Sequence, residues 1–265
     1  MRNFSDVKRI VIKVGTSTLT FENGELNLRR IQELALVVAD VRNSGKDVIL
    51  VSSGAVGAGV GRLGLKSRPT AIKEKQAAAA VGQSQLVCIY DEFFRKYNKT
   101  VGQVLLTRDV VVNEAMHENV VNTFETLLDF GVIPIVNEND SVSIAEIIVD
   151  DNETFSDNDT LSAHVANIVN ADLLIMLSDI DGLYDRNPAE PDAKLISEVT
   201  EITEEIKKMA GGAGSTLGTG GMVTKILAVE IAKNSGTKTL LINGNNPAQI
   251  YNVLEGEEIG TYFNC

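Results

Sequence analysis

Cysteine is scarce: there are two in 265 residues, Cys88 and Cys265, the second at the last position. That excludes a disulfide framework and fits a reducing compartment. Histidine is as rare, with His117 and His164 alone, so no Cys/His spacing suits a metal site. Both histidines fall inside helical patterns, away from every strand end, which assigns them structural or solvent roles rather than catalytic ones. Positive charge is short as well: 24 Lys and Arg stand against 36 Asp and Glu, a net charge of −12. Binding to nucleic acid or to an anionic membrane surface needs a basic face, so neither partner is expected. No apolar run approaches the ~20 residues that span a bilayer, and the opening "MRNFSDVKRI" has no long apolar signal region. The expectation is a soluble cytoplasmic protein. No Pro-rich or low-complexity linker interrupts the chain. We expect one domain with two lobes, about 1–170 and about 171–265, over the full length 1–265.

Apolar spacing supplies the elements. Short apolar, β-branched runs at 8–14, 47–51, 100–106, 132–136, 172–177 and 238–243 read as strands. Helical spacing over 27–45, 74–97, 114–131, 159–170, 201–210, 221–236 and 247–256 alternates with them. The alternation predicts an α/β fold with a largely parallel sheet. Strands that are apolar nearly throughout predict helices on both faces. The stretch "SVSIAEIIV" (141–149) has no helix beside it and reads as an antiparallel excursion or hairpin.

In open α/β sheets ligands bind beyond the carboxyl ends of the strands. The residues there are small, polar or glycine: "KVGTS" (13–17), "SSGAVGAG" (52–59), "NEND" (137–140) and "SDIDG" (178–182). Lys13 ends a buried strand, either snorkelling to water or presenting its charge to a phosphate beside the amides of Gly15 to Ser17. Ser53 opens a helix, as an ordinary N-cap or beside an anion held at the helix terminus. Gly59, Gly61 and Gly64 form a G-x-G-x-x-G, but too far past the strand for a dinucleotide fingerprint. "NEND" and the Asp157-Asn158-Asp159 run suit turns and caps individually. Together they suit an ammonium group and an Asp that orders neighbouring lysines; a metal competes, without EF-hand spacing.

"GSTLGTGGMVTK" (214–225) is not the usual P-loop, because Thr224 precedes Lys225 instead of following it. It is either a flexible linker or a cradle in which Gly220 and Gly221 turn amides inward at the positive end of a helix, with Lys225 folding back from one turn inside. The lack of a catalytic histidine fits a carboxylate nucleophile, which is already ionised at neutral pH and needs no base.

"KVGTS", "SSGAVGAG", "VNEND", "SDNDTLSA", "SDIDGLY" and "GTGGMVTK" follow one another in that order. Over essentially the whole chain they resemble the amino acid kinase family, and within it the branch that phosphorylates glutamate on its γ-carboxylate. A single glycine followed by Thr-Ser after Lys13 is similar to that branch; aspartate- and acetylglutamate-directed branches usually carry a Gly-Gly pair. The resemblance implies a three-layer αβα sandwich, ATP as co-substrate with Mg²⁺ bridging its phosphates, and the first step of proline synthesis. It implies Lys13 and Lys225 on the ATP phosphates and Asp159 holding both lysines. It implies Ser53, Gly54, Asn137, Asp140 and Asn158 on glutamate. Gly15, Ser178, Asp179 and the run Thr219, Gly220, Gly221, Met222, Val223, Thr224 and Lys225 are implied to line the nucleotide site, and no residue is assigned as a metal ligand. It further implies a homo-oligomer (dimer or tetramer), feedback inhibition by proline, and delivery of the product to glutamyl phosphate reductase. Ser178 departs from the branch's frequent threonine but keeps the hydroxyl, and "VDDNETFSDND" is longer than in some relatives. Many members carry a C-terminal domain of the PUA type; with the sequence ending at Cys265, we expect none, and no RNA-binding role. Two alternatives stay open: another acceptor (aspartate, acetylglutamate, carbamate or a nucleoside monophosphate), and a ligand-sensing module without catalysis, against which Lys13, Asp159 and Lys225 together argue.

Overall fold

The first β-branched run becomes the spine of the sheet. In the computed structural model, which describes residues 2–21, 25–142, 157–211 and 221–265, it forms β1 (Arg9–Val14). There follow α1 (Thr16–Leu19), α2 (Leu28–Asn43), β2 (Asp47–Ser52), α3 (Ala55–Leu63), α4 (Ile72–Lys96), β3 (Val101–Leu106), α5 (Asp109–Val112), α6 (Glu114–Asp129) and β4 (Ile133–Glu138). The second half adds α7 (Asn158–Ile168), β5 (Leu173–Ser178), β6 (Glu198–Val199), α8 (Glu204–Gly211), α9 (Met222–Lys233), β7 (Lys238–Asn243), α10 (Gln249–Leu254) and β8 (Thr261–Phe263).

The strands lie in the order β3-β4-β2-β1-β5-β7-β8-β6. All pairs from β3 to β7 are parallel; β8 runs antiparallel to β7, and β6 parallel to β8. The carboxyl ends of β1, β2, β4, β5 and β7 therefore share one edge. β1 sits at the middle, with β2 and β4 on one side of it and β5 and β7 on the other. Alternation along β1 divides the core. Ile10, Ile12 and Val14 face the layer that contains Leu34, Val38, Leu86 and Phe94 of α2 and α4. Val11 faces the layer that contains Leu161, Val165, Ile226 and Val229 of α7 and α9. With a period of two, Lys13 shares the face of Val11.

Local chemistry sets the boundaries. The Asn27 side chain accepts from the Arg30 amide and starts α2, and Gly45, at φ +89°, follows its end in the left-handed region. The helix expected over 201–210 starts later, at Glu204, because the Thr203 hydroxyl accepts from the Ile206 amide at 3.3 Å. The third strand departs from the expectation of cover on both faces: β3 is an edge strand, and of its six residues Leu106 alone is fully buried. The antiparallel component found is β8, which was not expected. The hairpin expected over 141–149 lies, from residue 143 on, outside the described residues.

Gly59 and Gly82 bring α3 onto α4. A Cβ on Gly59 would lie 1.8 Å from the Ala78 carbonyl oxygen, and one on Gly82 would lie 1.7 Å from that of Ala55. The first glycine of the G-x-G-x-x-G thus serves helix packing, and the last, Gly64 at φ +65°, ends α3. The Gly82→Ala variant forces the two backbones apart. We expect at least about 1–3 kcal/mol of lost stability, read as a lowered urea midpoint at unchanged m-value.

Candidate active site

Lys13 and Lys225 come from opposite ends of the chain and meet at one carboxylate. Lys13 Nζ lies 2.6 Å from Asp159 Oδ1, and Lys225 Nζ donates to Asp159 Oδ2 at 3.0 Å. The Thr224 hydroxyl also donates to Oδ2, at 3.1 Å. Each element explains its own contribution. Lys13 projects from the end of β1 on the face that meets α7 and α9. Asp159 is the second residue of α7, where a carboxylate is favoured by the helix dipole. Lys225 sits one turn into α9, and helical side chains lean toward the N-terminus. The Lys225 side chain therefore reaches back toward Gly221, which caps the helix through its backbone.

The group is deeply buried: the Asp159 side chain is 1% exposed and each lysine side chain 8%. Burial by itself would raise the Asp159 carboxyl, but the charges and hydrogen bonds of Lys13 and Lys225 outweigh it and hold it below its ordinary value. Two ammonium groups and one carboxylate leave a net +1 at a strand edge of a protein whose formal charge is −12. Such a focus suits a polyanion.

On the β2/β4 side, Ser53 is half-buried and its amide donates to the Val14 carbonyl at 3.0 Å. The reading of Ser53 as the helix N-cap is corrected here. Gly54, at φ +99°, occupies the cap with no side-chain bond, because the chain must pass through the left-handed region to enter α3. Asn137 is buried, and its Oδ1 accepts from the Glu138 amide and from Asn158 Nδ2, each at 2.9 Å. Asn137 and Asn158, 21 residues apart, are thereby one unit. Asp140 follows β4 and is partly buried.

On the other side, Gly15 lies beside Lys13: a Cβ there would be 3.6 Å from Lys13 Nζ. Ser178 is buried at the end of β5, and its hydroxyl donates to Asp179 Oδ1 at 3.1 Å, with Asp179 itself exposed. Met222 is partly buried and Val223 exposed on the first turn of α9. Thr219 and Gly220 lie outside the described residues.

Asp157 belongs with these residues, and of the turn or cap read for it from the sequence it forms the cap. Its Oδ1 caps α7 by accepting from the Asp159 and Thr160 amides at 3.0 and 3.1 Å, while Oδ2 is buried and has no hydrogen-bond partner among the described residues. An aspartate immediately before the first residue of the helix, Asn158, is the residue type that marks a cap. The burial of Oδ2, beside Asn158 and Asp159 in sequence, is visible in three dimensions only.

The model of the amino acid kinase family matches residues 8–243. The chain is 58% identical to the glutamate 5-kinase of Clostridium perfringens, over 97% of this chain and 96% of that protein. It is 54% identical to the glutamate 5-kinase of Streptococcus uberis, over 99% and 97%. Among solved structures, an isopentenyl phosphate kinase from T. acidophilum superposes with TM-score 0.64 at 18% identity, covering 97% of this chain and 100% of that one. A UMP kinase from Bacillus anthracis does so with TM-score 0.64 at 16% identity, covering 97% and 96%. The two structures establish the shared fold, and the sequence match establishes membership: the chain belongs to the amino acid kinase family.

Proposed function

We propose that the protein transfers the γ-phosphoryl group of ATP to the γ-carboxylate of L-glutamate, giving glutamyl 5-phosphate and ADP, the first step of proline synthesis. The observation that carries the mechanism is the Lys13–Asp159–Lys225 group at the strand edge of a chain more than half identical to glutamate 5-kinases along nearly its full length.

The acceptor lies on the β2/β4 side, in a lobe of about 1–170, and the nucleotide on the β5/β7 side, in a lobe of about 171–265. Ser53, Gly54, Asn137, Asp140 and Asn158 bind glutamate. With both bonds to Asn137 arriving at Oδ1, its N–H₂ is the end turned to a ligand. Asp157 Oδ2 and Asp140 suit the ammonium group. Gly15, Ser178, Asp179 and residues 219–225 hold ATP. A γ-carboxylate oxygen attacks phosphorus as the bond to the β–γ bridging oxygen breaks and ADP departs with the electron pair. The nucleophile is ionised at neutral pH, so no proton has to be removed. The obstacle is repulsion between two anions, and the two lysines offset it where charge builds on the transferring group. Asp159 fixes their positions. Both of its oxygens are occupied, and among the described residues no three or more acidic, His or Cys side chains gather for a metal. Mg²⁺ would enter with the nucleotide's phosphates, on the side of Lys13 and Lys225, and would supply further positive charge there. Cytoplasmic location, a homo-oligomeric assembly, inhibition by proline and delivery of product to glutamyl phosphate reductase complete the proposal. Among the described residues, no helix is long and apolar enough to cross a membrane.

A panel of acceptors tests the assignment. ADP release with ATP should be at least ~100-fold faster with glutamate than with aspartate, acetylglutamate, carbamate or UMP, since unpaired polar groups penalise the wrong ligand. Preference for any of these over glutamate would overturn it.

A further inference from the structure

α4 lies away from the transferring phosphate, yet it touches both acceptor loops. Its Gln83 is buried, and Nε2 donates to the Glu138 carbonyl at 3.2 Å. The N–H of Glu138 in turn donates to Asn137 Oδ1. Two turns further along α4, the fully buried Tyr90 hydroxyl lies 2.9 Å from Ser52 Oγ, which donates to the Ser53 carbonyl at 3.1 Å. With Ser52 donating onward, the phenol is the donor to Ser52. Burial raises the Tyr90 phenol above its ordinary value, so it stays protonated and able to donate at any working pH. Next to Gln83, Gly82 sits against the Ala55 carbonyl in the first turn of α3, the helix that follows Ser53 and Gly54. One helix thus grips the end of β2, the end of β4 and the start of α3.

We propose that Gln83 and Tyr90 are positioning residues that set the distance between the Ser53–Gly54 turn and Asn137, and so tune affinity for the amino-acid acceptor. The proposal rests on the acceptor side assigned above. Neither side chain reaches the reacting atoms. Gln83 acts through the Glu138 peptide and Tyr90 through Ser52. A purely structural role would instead weaken the fold and both substrate sites together.

The test is steady-state kinetics of Gln83→Met and Tyr90→Phe, each of which removes a donor while nearly conserving shape. The KM for glutamate should rise about tenfold in each, a shift expected when binding groups are misplaced by a fraction of an ångström. The KM for ATP and kcat should stay within about twofold of the starting protein. Gln83→Ala replaces Gln83→Met if the latter does not accumulate as folded protein. An unchanged KM for glutamate overturns the proposal. So does a parallel loss in glutamate KM, ATP KM and thermal stability, which marks structural residues only. Failure of the unmodified protein to phosphorylate glutamate strikes the functional reading itself, so the two failures are distinguishable.

Discussion

Lys13→Ala and Lys225→Ala are each expected to lower kcat by about 10²–10³-fold, the scale of removing one preorganised group from a developing anion. Lys13 ends the strand between the two halves of the sheet, and Lys225 stands across Asp159 from it. Loss of either leaves a single positive charge against one carboxylate, and the local net falls from +1 to 0. The transferring phosphate then meets no net attraction. Arginine should not rescue either position, because a planar guanidinium does not fit where an ammonium 8% exposed is enclosed. Far-UV circular dichroism should show the fold retained, since neither residue belongs to the apolar layers on either face of the sheet. Turnover close to that of the unmodified protein in either variant would refute the two-lysine mechanism.

Asp159→Asn carries the largest expected loss of stability. The amide cannot balance two buried ammonium groups, and unpairing such a site costs about 3–5 kcal/mol. At ~2–4 °C per kcal/mol for a chain of this size, Tm should fall by roughly 10 °C. The pH dependence identifies the carboxylate as the source. The two lysines hold the Asp159 carboxyl below its ordinary value of 3.8. A depressed carboxyl contributes stability above its unfolded-state pKa, and the contribution is lost as pH falls through the folded value. The urea-midpoint gap between the starting protein and Asp159→Asn should be constant from neutrality to about pH 4 and shrink below it. A gap that closes between pH 8 and pH 6 would assign the effect to some other group.

The two halves of this site were unequally legible in the sequence. Lys13 was legible in part: it ends an apolar strand, so it stands at the carboxyl edge, while the layer it meets, that of Val11, emerges only from the packing. The convergence of strand ends followed from the alternation of strands and helices. The partnership of Asp159 with Lys225, 66 residues away, follows from packing of α7 beside α9 and has no local signature. Residue by residue, it came only from resemblance. Of the two readings open for Ser53, the ordinary cap fell because the backbone required a residue tolerant of positive φ there, Gly54. Gly59 and Gly82 reveal nothing locally either; within a helix they read as weak spots until the carbonyls of Ala78 and Ala55 are seen to fill the space a side chain would need. The short β8 and the late start of α8 lay below the reach of periodicity, the former because three residues cannot define a period.

Trapping the acyl phosphate tests the central claim most directly. The purified protein is incubated with ATP, Mg²⁺, L-glutamate and hydroxylamine, and γ-glutamyl hydroxamate is measured beside ADP. The account predicts one hydroxamate per ADP with glutamate, and none with Lys13→Ala above about one hundredth of that rate. ADP formed without hydroxamate, or hydroxamate with aspartate but not glutamate, would contradict it.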